Sequence, residues 1–419
     1  MLALFCLVAF AAFGVFYFRH WVVQKPFGII LFVGEGLTPG RLAPTRIYAG
    51  GVDVPLALDV MPHVALVENF SSDFATPDRA AAAMAIATGL KVNNRSLNAE
   101  VRGSPVPSLL DLAQRGGRAT GLITDGRITN PTAATFYTSK ADPSMQSDIA
   151  REFADNPHID LVLGGGAQDF VPETKDGSRK DSRDLLADVR HKGFDLVRTK
   201  AELEAVPGWK RPKLFGAFSG TELAYADQIE ARAEQPSLSD MVRRAIELLQ
   251  YNRGGYLLVV DAHLMRKAAE QNDAEHTLLE TVELDRAVAV ARRYAGAKAT
   301  IIVCGDVGVG GLHLNGSPFR TDRGMSVLGL NSSGDPWLSW ATGPNGSRSY
   351  GAAKLAARQS PTASPFPTPE APQEPAAFFA PAALDTLEDV AAFGAGPGSE
   401  ALAGVVESTA IFRIIRDLL

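Results

Sequence analysis

The chain has 419 residues, enough for one large α/β domain with insertions or for two or three modest domains. Its 46% hydrophobic and 21% charged residues exclude a disordered chain, and a net charge of −6 gives no footing for a nucleic-acid partner. Two cysteines exclude a disulfide-stapled scaffold and a cysteine-built zinc site. Cys6 and Cys304 both lie in apolar runs and read as buried apolar residues.

In chain order, Met1–Phe18 comes first and carries neither charge nor proline. Arg19, His20 and Lys25 follow, with Tyr17 and Trp21 as interfacial aromatics. Residues 1–22 therefore read as a single-pass membrane anchor at the short end of the spanning range. A cleavable signal is the competing reading, but the run lacks a basic start and a small-residue cleavage site. The body is expected in the periplasm or outside the cell. The basic C-terminal flank alone would favour a cytoplasmic body, a bias that long domains override.

The remainder, 27–419, alternates strand and helix patterns. Gly28–Gly34 is an apolar run ending in glycine, the mark of a buried parallel strand. Ala80–Thr88 reads as a closely packed helix of small residues. Ala119–Thr124, Ile159–Leu163, Gly255–Val260 and Ala299–Cys304 repeat the strand pattern. Ser108–Arg115, Ser239–Asn252 and Glu270–Tyr294 read as amphipathic helices, with Ser237 or Ser239 starting the second of them. The alternation predicts an α/β fold: a doubly wound, mostly parallel sheet with helices on both faces. A stretch around 358–383, rich in Pro, Ala and Ser, reads as an exposed insertion.

In such a sheet, chemistry belongs at the C-terminal strand ends. Glu35, Asp125, Asp261 and Asp306 stand there. Asp78 and Arg79 open the small-residue helix, and Asn130 and Thr132 follow another strand. Acidic residues delivered from distant segments suit a hard cation with oxygen ligands. The same residue types also serve as ordinary caps and turns in strand-to-helix loops, and both readings stay open.

The motifs, taken together, resemble the alkaline phosphatases from Phe27 to Leu419. The stretches are GIILFVGEG from Gly28, TPDRAAAAMAIATGLK from Thr76, GLITDGRITNPTAATFY from Gly121 and DLVLGGG from Asp160. LFGAF from Leu214, PSLSDMVRRAIELL from Pro236, GGYLLVVD from Gly254, CGD from Cys304 and TLEDVAAFGAGPG from Thr386 complete the series. The resemblance implies a site that, in active members, holds two zincs and one magnesium around a serine nucleophile.

Carried over residue by residue, that site mostly fails. The metal-bridging Asp is Glu35. Asp78 is kept, but Arg79 stands at the nucleophile position. The magnesium Thr is Thr132 and the magnesium Glu is Asp261. The phosphate-binding Arg falls near Pro143, with only Lys140 as a basic neighbour. The next zinc Asp and His align with Arg266 and Glu270, the Asp–His pair with Asp306 and Val307, and the last zinc His with Asp385. None of the seven histidines falls on a zinc-ligand position.

Zinc prefers imidazole nitrogen, so no zinc is expected. Buried carboxylates need partners, and Arg79 and Arg266 are read as the charges that stand in for metal, Arg266 being i,i+4 from Glu270. The conversion of ligands and nucleophile into opposite charges favours compensation over drift. The expectation is an alkaline-phosphatase-like protein inactive toward phosphomonoesters. The alternative is a hydrolase using Mg or Ca on Glu35, Thr132, Asp261 and Asp306. Expected partners are the membrane, through residues 1–18, and an unidentified protein or small molecule at the old cleft, with no nucleic acid; a homodimer stays open. Gly164–Gly166 reads as a structural turn, and His263 as a hydrogen-bonded structural residue.

Overall fold

The computed structural model describes residues 2–17, 27–138, 142–209, 212–229, 231–232, 234–316, 318–330, 334–346 and 374–419. Lys140 and most of the Pro-rich stretch lie outside the described residues. The far end of that stretch does not hang free: Ala376–Phe379 forms a strand parallel to Leu338–Gly343.

Ten strands make the central sheet: β1 (Gly28–Gly34), β2 (His63–Glu68), β3 (Ala119–Arg127), β4 (Leu161–Gly165), β5 (Asp195–Val197), β6 (Leu214–Ala217), β7 (Tyr256–Ala262), β8 (Thr300–Gly305), β9 (Val390–Ala395) and β10 (Gly404–Glu407). Their order is β10-β2-β9-β8-β1-β7-β3-β4-β6-β5. All run parallel except β9, which is antiparallel to both β8 and β2. This is the doubly wound α/β sheet expected from the alternation.

β1 shows why the sheet is buried on both faces. Ile29, Leu31 and Val33 enter one apolar core; Ile30 and Phe32 enter the other. The period-two alternation of a strand sends neighbours to opposite faces, so an unbroken apolar run serves both. Helices α2 (Arg79–Thr88), α3 (Leu109–Arg115) and α7 (Thr409–Leu418) contribute Ile86, Leu109 and Phe412 to the first core. Helices α4 (Leu238–Leu249) and α6 (Ala274–Ala295) contribute Met241 and Leu284 to the second.

Local signals set the helix limits. Ser237, rather than Ser239, caps α4 through a reciprocal capping box with Asp240. The stretch Glu270–Tyr294 is two helices, not one. Helix α5 (Leu264–Glu270) ends, Asn272 turns at φ 56, and Asp273 caps α6 by accepting from His276 N. Helix α2 is almost wholly buried and ends at Gly89 (φ 73), where a Cβ would meet Phe412 at 2.4 Å.

Helix α1 (Leu2–Tyr17) spans 16 residues and is exposed along its described side chains. Cys6 is exposed on it, contrary to its reading as a buried residue, whereas Cys304 is buried. No helix among the described residues is long and apolar enough to cross a membrane.

Candidate functional site

The register of the parallel strands assembles the site. Gly34 pairs with Ala262 and with Gly305, so Glu35, His263 and Asp306 leave the sheet together. Thr124 of β3 lies opposite Asp261 of β7, and its hydroxyl donates to Asp261 Oδ2 at 2.8 Å. The backbone N–H groups of His263 and Leu264 donate to Asp125 Oδ1 at 2.6 and 3.1 Å. Asp306 Oδ1 accepts from Gly36 N at 2.8 Å and from Val307 N at 2.6 Å. Strands that pair in register thus place four carboxyls, Glu35, Asp125, Asp261 and Asp306, in one buried layer.

The cations arrive from the segment after β7. Helix α5 holds Arg266, whose Nε lies 2.8 Å from Glu270 Oε1 and 3.7 Å from Glu35 Oε2. Its Nη2 donates to Asp385 Oδ1 at 2.6 Å. Asp385 comes from the short strand Asp385–Thr386, which pairs with Gly308–Val309 just beyond Asp306. One guanidinium therefore joins three chain segments. His263 Nδ1 stands 3.1 Å from Glu35 Oε1, and the histidine is buried.

These charges order the protonation states. Burial pushes Glu35 up, but His263, Arg79 and Arg266 outweigh it and hold the carboxyl at about 2. Burial and the Glu35 charge push Asp306 up to about 7, against the pull of Arg266. Burial pushes Asp125 up to about 7 as well. Asp261 is raised well above the usual carboxylate range by burial, Glu35 and Asp125. His263 is raised: burial opposes its charge, but Glu35 favours it more.

Arg79, read with Arg266 as a charge standing in for metal, makes no hydrogen bond to the site carboxylates among the described residues. It opens α2 half-buried and closes no ion pair among the described residues. Its charge still acts on Glu35 and His263. Asp78 serves as an ordinary cap, accepting from Ala81 N at 2.9 Å and Arg95 N at 2.6 Å. Arg266 alone makes the close contacts expected of both arginines.

Asn130 and Thr132 are buried at the start of the short helix Pro131–Ala134. Asn130 Nδ2, Thr132 Oγ1, Asp261 Oδ1, Asp306 Oδ2 and Arg266 Nη1 are buried without a hydrogen-bond partner among the described residues. Buried oxygens of this kind suit a hard cation held by Glu35, Thr132, Asp261 and Asp306. The fit is incomplete, because His263 and Arg266 stand against the two oxygens of Glu35. The described residues contain no group of three or more His, Cys, Asp or Glu arranged to hold a metal. A zinc pair does not fit the donor set, which holds one histidine, with Nδ1 3.1 Å from Glu35 Oε1.

Reading by position missed Arg41. It is 1% exposed, its Nη2 donates to Val309 O at 3.2 Å, and its Nη1 finds no partner among the described residues. Burial lowers it to about 10, against Glu388 and Asp306. Its only sequence signal is an arginine six residues past a strand-end acid, which is weak. Gly36 makes room for it: at φ +85, a Cβ there would meet Arg41 Nη1 at 2.7 Å.

The family model for alkaline phosphatase matches residues 28–419. The tissue-nonspecific alkaline phosphatase of Gallus gallus is 30% identical over 350 residues, covering 72% of this chain and 66% of that protein. The alkaline phosphatase of Gadus morhua is 28% identical over 354 residues, covering 73% of each. The match thus spans just under two thirds of the chicken protein. Among solved structures, the alkaline phosphatase of the Antarctic bacterium TAB5 superposes with a TM-score of 0.73 at 18% identity, covering 94% of this chain and 98% of its own. That of Thermus thermophilus gives 0.72 at 22% identity, covering 95% and 92%. The structural likenesses speak for the fold.

Proposed function

The chain belongs to the alkaline phosphatase family, and we propose that its ester-cleaving centre has been converted into a fixed network of ion pairs that hydrolyses no phosphomonoester. The observation that carries this reading is Arg266 bridging Glu35, Glu270 and Asp385. By the resemblance, all four are positions of metal ligands in active relatives. A guanidinium in their midst offsets part of the carboxylate charge and cannot be deprotonated. It offers neither a Lewis acid nor a bound hydroxide.

The nucleophile position points the same way. A serine attacks after losing its proton to a base, helped where a metal coordinates the hydroxyl and lowers its pKa. Arg79 has no hydroxyl with which to attack. Arg79, half-buried beside these buried charges, would mark the place where a protein or small molecule binds.

A second reading is favoured by the orphaned Thr132 Oγ1, Asp261 Oδ1 and Asp306 Oδ2. With Glu35 they would hold one Mg or Ca, which would polarise a phosphoryl oxygen and activate a water. Phosphomonoester assays of purified protein in zinc, magnesium and calcium, paired with elemental analysis, separate the two. No turnover above background and no stoichiometric zinc is the expected result. Turnover that needs magnesium or calcium and disappears in Asp306→Ala would establish the second reading instead.

A further inference from the structure

The pole of the sheet opposite the cleft has a chemistry of its own. Strands β8, β1, β7 and β3 are adjacent and parallel, so the loops entering them gather at one end. A strand of seven residues puts that end about 20 Å from Glu35. Phe27 leads into β1 there and is held firmly. Tyr256 N and Arg118 Nη1 donate to its carbonyl at 3.0 and 3.1 Å.

Around Phe27 stand Arg115, Arg253, Arg293 and Lys298, all exposed, and segments 113–118, 250–255 and 292–299 contain no acidic residue. None of the four closes an ion pair among the described residues. Helices α3 and α6 end at this pole, and their C-termini alone would make it negative. Four exposed basic residues oppose that sign, beside the end of α7, where Asp417 pairs with Arg416 and the Leu418 carbonyl accepts from Arg118 Nη2. Tyr251 and Tyr294, 59% and 38% exposed, stand among them. Arginine beside exposed tyrosine suits a membrane–water interface.

The preceding sequence continues the pattern with Arg19, His20 and Lys25. Before them comes α1, where Leu4, Phe5, Leu7, Val8, Phe10 and Phe13 are each at least 60% exposed. A helix apolar on every side has no polar face to turn to water. At about 24 Å it nearly matches a hydrocarbon core of about 30 Å.

We propose that this pole is a membrane-docking face. Helix α1 enters the hydrocarbon of a bilayer, and Arg115, Arg253, Arg293 and Lys298 lie against anionic headgroups. The cleft with Glu35 and Arg266 then faces away from the lipid, toward soluble ligands. None of these residues belongs to the cleft, so the inference stands or falls apart from the loss of hydrolysis.

Flotation of the full chain with vesicles tests it, using phosphatidylcholine alone and phosphatidylcholine mixed with phosphatidylserine. The chain is expected to float with both, and anionic lipid should strengthen partitioning by about tenfold or more. The Arg253→Glu/Lys298→Glu variant keeps Arg19, His20 and Lys25, floats with phosphatidylcholine, and loses most of the anionic gain. Unchanged melting of that variant without vesicles excludes misfolding. Hydrogen exchange on vesicles should slow at 250–255 and 292–299 and stay unchanged across α5. Three results would overturn the proposal: a chain that remains in soluble oligomers, a variant that keeps the full anionic gain, or protection that appears at the cleft.

Discussion

Glu35 and Asp306 leave the sheet side by side, one residue past the paired Gly34 and Gly305, yet their carboxyls sit at opposite ends of the acid range. Glu35 is held at about 2 and Asp306 is pushed up to about 7. Both are fully buried, so burial does not separate them. Glu35 has His263 and Arg266 within contact distance; Asp306 has two backbone donors and the charge of Glu35. One carboxylate takes the cations and its neighbour bears the repulsion.

Asp306 and Asp125 make stability depend on pH in a stated direction. A carboxyl raised in the fold stabilises fully below its unfolded value of about 4. That contribution is lost as pH rises through about 7. Urea midpoints of the parent should fall between pH 4 and 7, and Asp306→Asn should flatten that fall, since an amide oxygen still accepts from Gly36 N. An unchanged slope would contradict the raised value. Glu35 acts oppositely: its contribution is present above the ordinary range and lost as pH falls through about 2.

Arg266→Met should destabilise strongly. It leaves Glu35, Glu270 and Asp385 facing one another without their shared partner, a loss of roughly 3–5 kcal/mol for a broken buried pair. Arg266→Lys should recover part of this, as a point charge without the fork geometry. Thermal melts of both variants measure the ordering.

Arg79→Ala should cost far less, about 1 kcal/mol or under, because its guanidinium acts on Glu35 only at a distance. A loss as large as that of Arg266→Met would show that Arg79 is bonded within the site.

Gly36→Ala combines a left-handed φ of +85 with a Cβ that would meet Arg41 Nη1 at 2.7 Å. Strain of this kind costs on the order of 1–3 kcal/mol. Chemical denaturation of Gly36→Ala beside Gly36→Ala/Arg41→Met separates backbone strain from the clash.

Much of this was legible in the residues. The β1 run matches its strand from first residue to last, because a doubly buried strand is apolar throughout. The antiparallel β9 carried no such mark, since direction depends on the connections and not on local pattern. The break at Asn272 was hidden because amphipathic spacing continues across it. The positions of Glu35, Asp261, Asp306 and Asp385 followed from motif order. Which arginine they pair with did not: Arg79 and Arg266 both offer charge, and only the side-chain paths decide. Arg41 was invisible because its burial depends on Gly36 and Val309, which are distant from each other in sequence.

β1 lies at the centre of the sheet, but both strands that flank it, β7 and β8, come from beyond residue 255. During synthesis at roughly 5–20 residues per second, β1 therefore waits on the order of 10–50 s for its first neighbour. Through that interval a wholly apolar strand has every backbone donor and acceptor unpaired, the condition under which strands from different chains associate. The expected cost of this topology is a nascent chain that needs a chaperone until β7 and β8 have emerged.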